Sequence, residues 1–340
     1  MMRPRLFFLT TILCFAALSA WAADKEGGFF DVTDENDAWS DFLGKHQDRH
    51  YTHGIKTTLM LPEHALDPDS VFFPLWGMHR DDIMTSHGFV LGQNMYTPED
   101  ILDPNPIPTD HPYAGWLYTG LVYQRRGELS EHIAVLENFE VNLGVVGPLS
   151  LAGPTQRDVH RWRFPEDIPA GWGNQLKNEP GIVLKYARLW RWSPTTNTAY
   201  YFDIIPRVGG ELGNVAIFAT AGATLRIGLN LPQDFGMQII DSPAAANGGA
   251  VKKLHWSVYA FASADERAIA HDITLDGNTF RAGPSVDKRN FVDDLTWGVA
   301  VEPCRFIELR YAHVNRSRQF HGQQGNDVFG SIDARFMFEF

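Results

Sequence analysis

Apolar and polar residues alternate with a period of two along most of this chain, the spacing of strands whose two faces meet different surroundings. Over 137–147, Phe139, Val141, Leu143 and Val145 alternate with Glu140, Asn142 and Gly144. Over 294–302, Leu295, Trp297, Val299 and Val301 alternate with Thr296, Gly298 and Glu302. The same rhythm runs through 202–212, 215–229 and 305–315. The polar faces repeatedly carry charge. Trp116, Tyr118, Tyr123, Tyr186, Trp190, Trp192, Tyr200 and Tyr201 cluster near strand ends, as in the aromatic belts of membrane interfaces. The pattern predicts strands near 29–37, 51–62, 83–96, 113–126, 130–147, 180–192, 197–212, 214–228, 252–267, 288–302, 305–318 and 327–340. The expected fold class is all-β: a transmembrane antiparallel β-barrel of about twelve strands, one domain over 23–340, its even strand number putting both ends on the periplasmic side.

The two ends of the chain sharpen this reading. Arg3 and Arg5 precede a mostly apolar run from Leu6 to Leu18, and Ala20-Trp21-Ala22 fits a small-x-small cleavage site, so 1–22 reads as a signal peptide cut after Ala22. Cys14 follows the bulky Leu13 and does not suit a lipoprotein cysteine. At the other end Ile332, Ala334, Phe336, Phe338 and Phe340 alternate with Ser331, Asp333, Arg335, Met337 and Glu339. A last strand closing on phenylalanine looks like an outer-membrane assembly signal. No later segment approaches the ~18 apolar residues of a membrane-spanning helix.

Charge and cysteine content narrow the partners. The chain has 29 Lys and Arg against 41 Asp and Glu; without Arg3 and Arg5 the balance is 27 against 41, a net −14. That argues against nucleic acid and means that anionic lipid must be met through local basic patches or divalent cations. Cys304 alone remains after cleavage, which excludes a disulfide framework.

Counting strands from the periplasmic side sends 38–50, 97–112, 148–179, 212–214, 268–287 and 319–326 outward. Inner turns are short at 127–129, 193–196 and 303–304, whereas 63–82 and 229–251 are long for periplasmic turns. Three polar groups then meet at one outer rim: Asn36 and Asp37 end the first strand, Thr52 opens the second, and 148–179 carries GPTQRDVHRWRFPEDIPAGW. Thr155 and Asp158 resemble a capping box, predicting a short extracellular-loop helix from 156 to about 163. On it Gln156 and His160, four residues apart, share a face. Glu166 follows, before Pro169. Histidine supplies a general base near neutral pH. Asp37 suits a hard, oxygen-preferring cation such as Ca²⁺, and that cation or Asn36 could stabilise an oxyanion. His46, His50 and His53 do not form a standard zinc pattern.

These segments resemble the outer-membrane lipid A 3-O-deacylases: ENDAW at 35–39, YTHG at 51–54, GQNMYTP at 92–98, PYAGWLYTG at 112–120, GVVGP at 144–148, Gln156 to Pro169, and WGNQLKNEPG at 172–181. The resemblance implies a twelve-stranded barrel and a Ca²⁺-dependent hydrolase that removes an ester-linked acyl chain from lipid A, within lipopolysaccharide, at the outer leaflet. It implies His160 as base, Glu166 as its orienter and Asp37 as the Ca²⁺ ligand, with Asn36, Thr52 and Gln156 positioning substrate and oxyanion. An outer-membrane phospholipase and a non-enzymatic structural barrel or pore are the alternatives. Some relatives carry a Lys/Arg run in the loop after the third strand. Here that loop reads PEDILDPNPIPTDHPYAG and is acidic, so phosphate recognition would use other residues, Ca²⁺ bridges, or a different substrate.

Overall fold

The computed structural model describes residues 27–40, 49–65, 83–194, 200–240 and 256–339. The expected signal peptide and cleavage site, His46 and Phe340 lie outside these. Thirteen strands form one antiparallel sheet: β1 (Gly27–Asn36), β2 (His50–Met60), β3 (His64–Ala65), β4 (Met84–Thr97), β5 (Ala114–Ser130), β6 (Ile133–Val146), β7 (Glu179–Trp192), β8 (Tyr200–Gly213), β9 (Ala216–Leu229), β10 (Ser257–Asp272), β11 (Phe291–Cys304), β12 (Ile307–Arg316) and β13 (Asp327–Glu339). Strand neighbours follow chain order, β1 pairs with β13, and β2 pairs with β4. The twelve long strands therefore close a barrel, while the two-residue β3 only prolongs one edge of β4. All twelve predicted strands are present. The end with the tight β5–β6 and β11–β12 turns is the periplasmic end.

Burial is inverted relative to a soluble protein. Leu121, Leu143, Ile182, Leu212, Ile227, Leu295, Val299 and Leu309 are exposed on the outer wall. Glu140, Asn142, Asp203, Arg226, Glu302, Arg310 and Arg335 face the interior and are buried. The long strands thus mostly offer an apolar side to lipid and a polar side to the lumen. Tyr123, Phe139 and Tyr186 lie side by side on the outer wall, their rings tilted and their centroids 6.3 and 4.9 Å apart, with Tyr123 and Tyr186 among the aromatics expected at an interface. Trp116 and Tyr118 do not: both point inward, buried and stacked 5.5 Å apart. They occupy the even positions of β5, and Leu117, Thr119 and Leu121 take the lipid side. A cluster of aromatics in sequence does not distinguish the two faces.

The lumen is filled by ion pairs. Arg335 binds Asp31 (2.8 and 3.0 Å), Arg310 binds Asp333 (2.8 Å), Lys56 binds Glu140 (2.9 Å) and Arg316 binds Asp294 (2.9 and 3.1 Å). Residues 230–240, which follow β9 at the periplasmic end, turn up into this space. Arg226 grips Asp203 (2.7 and 2.9 Å), the side chain of Asp234 and the carbonyl of Pro232 (3.1 Å), and Arg310 donates to the carbonyl of Gly236 (3.0 Å). Part of the unusually long 229–251 segment is therefore a luminal plug; 241–255 lie outside the described residues.

Arg226→Met would leave Asp203 and Asp234 buried without their counter-charge. Breaking a buried pair this way costs about 3–5 kcal/mol. Urea unfolding of the refolded barrel in detergent micelles should shift by that amount, and an unchanged midpoint would show that the arginine is not holding these carboxylates.

Candidate active site

The predicted rim residues meet on the outer wall rather than in the lumen. Odd residues of β1 (Asp31, Thr33, Glu35) point inward and are buried. Asp34 and Asn36 therefore face out. On β2 the register with β4 jumps between Tyr51 and His53, leaving Thr52 as an extra residue. Tyr51 remains inside, its hydroxyl donating to Glu35 (2.8 Å), whereas Thr52 and His53 both reach the outer face. Such a bulge re-aims side chains, a device common beside functional sites.

The opposing wall is a helix, α1 (Ala152–Arg163). It begins four residues earlier than the 156 predicted. Thr155 is not the cap; it lies within the first turns and its hydroxyl donates back to the Leu151 carbonyl (2.9 Å). Leu151, in the left-handed region at φ 63°, turns the chain into the helix instead. Gly115 on β5 permits close packing: a Cβ there would lie 2.1 Å from Ser150 Oγ and 2.4 Å from Ala152 Cβ. Met95, Tyr113, Ala152 and Trp172 form the apolar seam beneath α1.

Between helix and wall lies a cavity of about 510 Å³. Asn36, Asp37, Thr52, Gln156 and His160 all line it. His160 Nδ1 is 2.6 Å from the main-chain carbonyl of Asp167. A carbonyl only accepts, so Nδ1 carries the proton and Nε2 is the basic nitrogen of the neutral ring. Gln156 accepts the Trp172 indole N–H at Oε1 (2.6 Å). That donor fixes the amide orientation, and Gln156 Nε2, buried, has no hydrogen-bond partner among the described residues. Asn36 Oδ1 accepts from the Ala38 N–H (2.7 Å), Asp37 Oδ2 from the Arg49 N–H (3.1 Å), and the Thr52 and Thr97 hydroxyls are 2.8 Å apart.

Glu166 departs from its expected role. It is exposed and outside the cavity lining. The partner seen on His160 Nδ1 is the Asp167 carbonyl, because the chain after α1 folds back and brings its own backbone to the ring. Sequence reasoning also missed Asp34 and His53. Both line the cavity, with His53 Nε2 3.1 Å from Asp34 Oδ2 and the Trp39 indole N–H donating to Asp34 Oδ1 (2.6 Å). The period-2 links of Asp34 to Asn36 and of His53 to Ile55 and Thr57 were usable signals; the bulge that turns Thr52 outward beside His53 was not visible. His50 sits apart from this pair: its ring nitrogens face Asp327 (2.5 Å) and Asp110 (3.1 Å), so no zinc set assembles with His53. In the loop beyond, burial and the neighbouring His50 push His111 down to about 4, leaving a neutral ring stacked on Tyr96.

The fold and the wall-mounted cavity define an outer-membrane β-barrel protein whose candidate site lies on the outer face of the wall rather than in the lumen. The family described as "Outer membrane protein LpxR" matches residues 6–338, and the chain belongs to it. Its structure is similar to that of LpxR from Salmonella typhimurium, with a TM-score of 0.71 at 18% identity over 91% of this chain and 100% of that one. The translocator domain of the autotransporter NalP from Neisseria meningitidis aligns with a TM-score of 0.47 at 8% identity, over 98% and 96% of the two chains. No curated protein sequence matches.

Gly115→Val should lift α1 from the wall. Overpacking of this kind costs about 1–3 kcal/mol, so trypsin should cut at Arg157, Arg161 or Arg163 roughly five- to a hundredfold faster while the barrel stays folded. Unchanged cleavage would mean that Gly115 does not set the helix position.

Proposed function

We propose that this protein is a Ca²⁺-dependent hydrolase that removes an ester-linked acyl chain from lipid A at the outer leaflet. The observation that carries the reading is His160: its Nδ1 meets a carbonyl, which makes Nε2 the basic nitrogen of the neutral ring, in the cavity that Gln156, Asn36, Asp37 and Thr52 share. Membership of the LpxR family and the lipid-facing position of the cavity support the substrate. Met95, Ile101, Leu102, Val159 and Phe164 supply apolar lining for an acyl chain.

His160 Nε2 takes a proton from a water molecule, whose oxygen attacks the ester carbonyl. Gln156, held by Trp172, offers Nε2–H to the oxyanion, as Asn36 and Thr52 do from the barrel wall. When the C–O bond breaks, His160 returns the proton to the leaving alcohol, giving a free fatty acid and a hydroxyl on the sugar. Asp167 keeps the ring oriented through its carbonyl, and Glu166 stands exposed beside the cavity.

The donor chemistry fits a hard cation. The cavity is rich in side-chain oxygens, including Asp34, Asp37, Glu99 and Asp100, and has no cysteine. Among the described residues no three His, Cys, Asp or Glu side chains are grouped as ligands. Asp37 would be the anchor, with the remaining positions left to main-chain carbonyls, water and substrate. A Ca²⁺ there would supply positive charge for the oxyanion and for lipid phosphates, in a lining that contains no Lys or Arg.

Purified protein with defined lipid A, read by mass spectrometry, tests the reading. His160→Ala should lower the rate about 10²–10⁴-fold, the usual cost of losing a general base, in a barrel that still assembles. Chelation should stop turnover and Ca²⁺ restore it better than Zn²⁺, and Asp37→Asn should weaken or abolish that response. Full activity in excess chelator would remove the metal from the mechanism; release of acyl chains from phospholipid but not lipid A would favour a phospholipase.

A further inference from the structure

The far side of the catalytic wall holds a buried carboxylate that ties four parts of the chain together. Glu35 lies between Asp34 and Asn36 on β1 and points the opposite way, into the lumen. Its Oε2 accepts the Tyr51 hydroxyl of β2 (2.8 Å). Its Oε1 accepts the Ser331 hydroxyl of β13 (3.2 Å) and the main-chain N–H of Ile240 (2.8 Å). Tyr51 immediately precedes Thr52, the extra residue of the bulge. Gly54 makes room for this arrangement: a Cβ there would lie 2.0 Å from the Tyr51 hydroxyl and 3.3 Å from Ile240 Cδ1.

Ile240 belongs to the plug. The described segment starts beside the periplasmic end of β9 and is gripped by Arg226 at Asp234 and by Arg310 at Gly236, before its last residue reaches Glu35 near the outer end of β1. Eleven residues can span up to ~36 Å, enough for that passage. Leu231, Phe235 and Ile240 are buried along it.

We infer that Glu35 is a positioning residue for the outward-facing site and that residues 230–240, rising through the lumen, hold it in place. The inference rests on the proposed hydrolysis for its kinetic readout. A carboxylate serving only barrel closure would need its neighbours on β2 and β13. The main-chain N–H of the plug adds a fixed third point, and together these set the level of Asn36 and Thr52 across a wall one residue thick. The consequence is mechanical coupling between a periplasmic segment and a site at the outer leaflet. It also makes the barrel a sealed one.

The test uses the full chain in liposomes, with two variants: Glu35→Gln, and replacement of 232–239 by a short Gly-Ser link. Misplacing reactive groups by about 1 Å can cost on the order of 10²-fold in rate. Each variant should therefore lose at least roughly tenfold in kcat with KM held within about twofold, while migrating as a folded barrel. Combined, they should lose no more than the worse one alone, since they act through one contact. The Gly-Ser replacement should also raise ion conductance, and amide exchange in 36–40 and 49–54 should quicken in both. Wild-type kcat in either folded variant overturns the inference, as do losses that multiply. If the shortened chain does not assemble, Glu35→Gln decides alone. If the wild type hydrolyses no lipid ester, the proposed function has failed, and exchange at 36–40 and 49–54 still decides: unchanged rates in Glu35→Gln overturn the brace.

Discussion

Everything in this molecule follows from lipid on the outside of the sheet. A strand in hydrocarbon must satisfy its backbone within the sheet, so the sheet closes. Its apolar side chains must then point out, and the interior inherits every charge. Those charges are tolerable only when paired, because an uncompensated ion in a low-dielectric interior costs several kcal/mol. The network of Arg226, Arg310, Arg316 and Arg335 with Asp203, Asp234, Asp333, Asp294 and Asp31 is the solution. With this network and the plug between its members, the space inside is occupied and the wall is rigid.

A rigid wall is what a surface-mounted site needs. Reactive groups on opposite sides of a cavity must be held to within a fraction of an ångström, and a loop helix floating above a barrel could not manage that. Here α1 is seated against β5 at Gly115 and keyed by Trp172, which both fills the seam and fixes Gln156. The barrel contributes Asp34 and Asn36 from β1, with His53, which pairs with Asn36, and the bulged Thr52 from β2. Because the cavity lies on the lipid side, a substrate can enter laterally from the leaflet without its acyl chains crossing water.

The acidity of the chain takes on a specific meaning at this site. Asp34, Asp37, Glu99, Asp100 and Asp167 surround the cavity, and a phosphorylated glycolipid approaching them meets like charge. In the proposed function a divalent cation would offset that repulsion and would also place positive charge near the oxyanion, so one ion would answer both a binding and a catalytic need.

Periodicity alone determined the architecture: strict alternation over ten to fourteen residues admits a two-faced strand and little else, and twelve such runs close a barrel. The meeting of Gln156 and His160 was equally legible, because four-residue spacing on a helix places two side chains on one face whatever the surroundings. What the chain did not reveal were events that depend on contacts distant in sequence. The inward turn of Trp116 and Tyr118 depends on which face of β5 meets lipid, and their sequence neighbourhood is aromatic either way. The outward turn of Thr52, with Tyr51 kept inside, comes from one extra residue in a strand pair, which shifts register without changing composition. The group on His160 Nδ1 is a backbone carbonyl, and carbonyls carry no sequence signature; only the fold of 164–167 back onto α1 brings the Asp167 carbonyl there. The same holds for Ile240 and Glu35, 205 residues apart, which meet because the lumen must be filled and the plug is the segment long enough to reach.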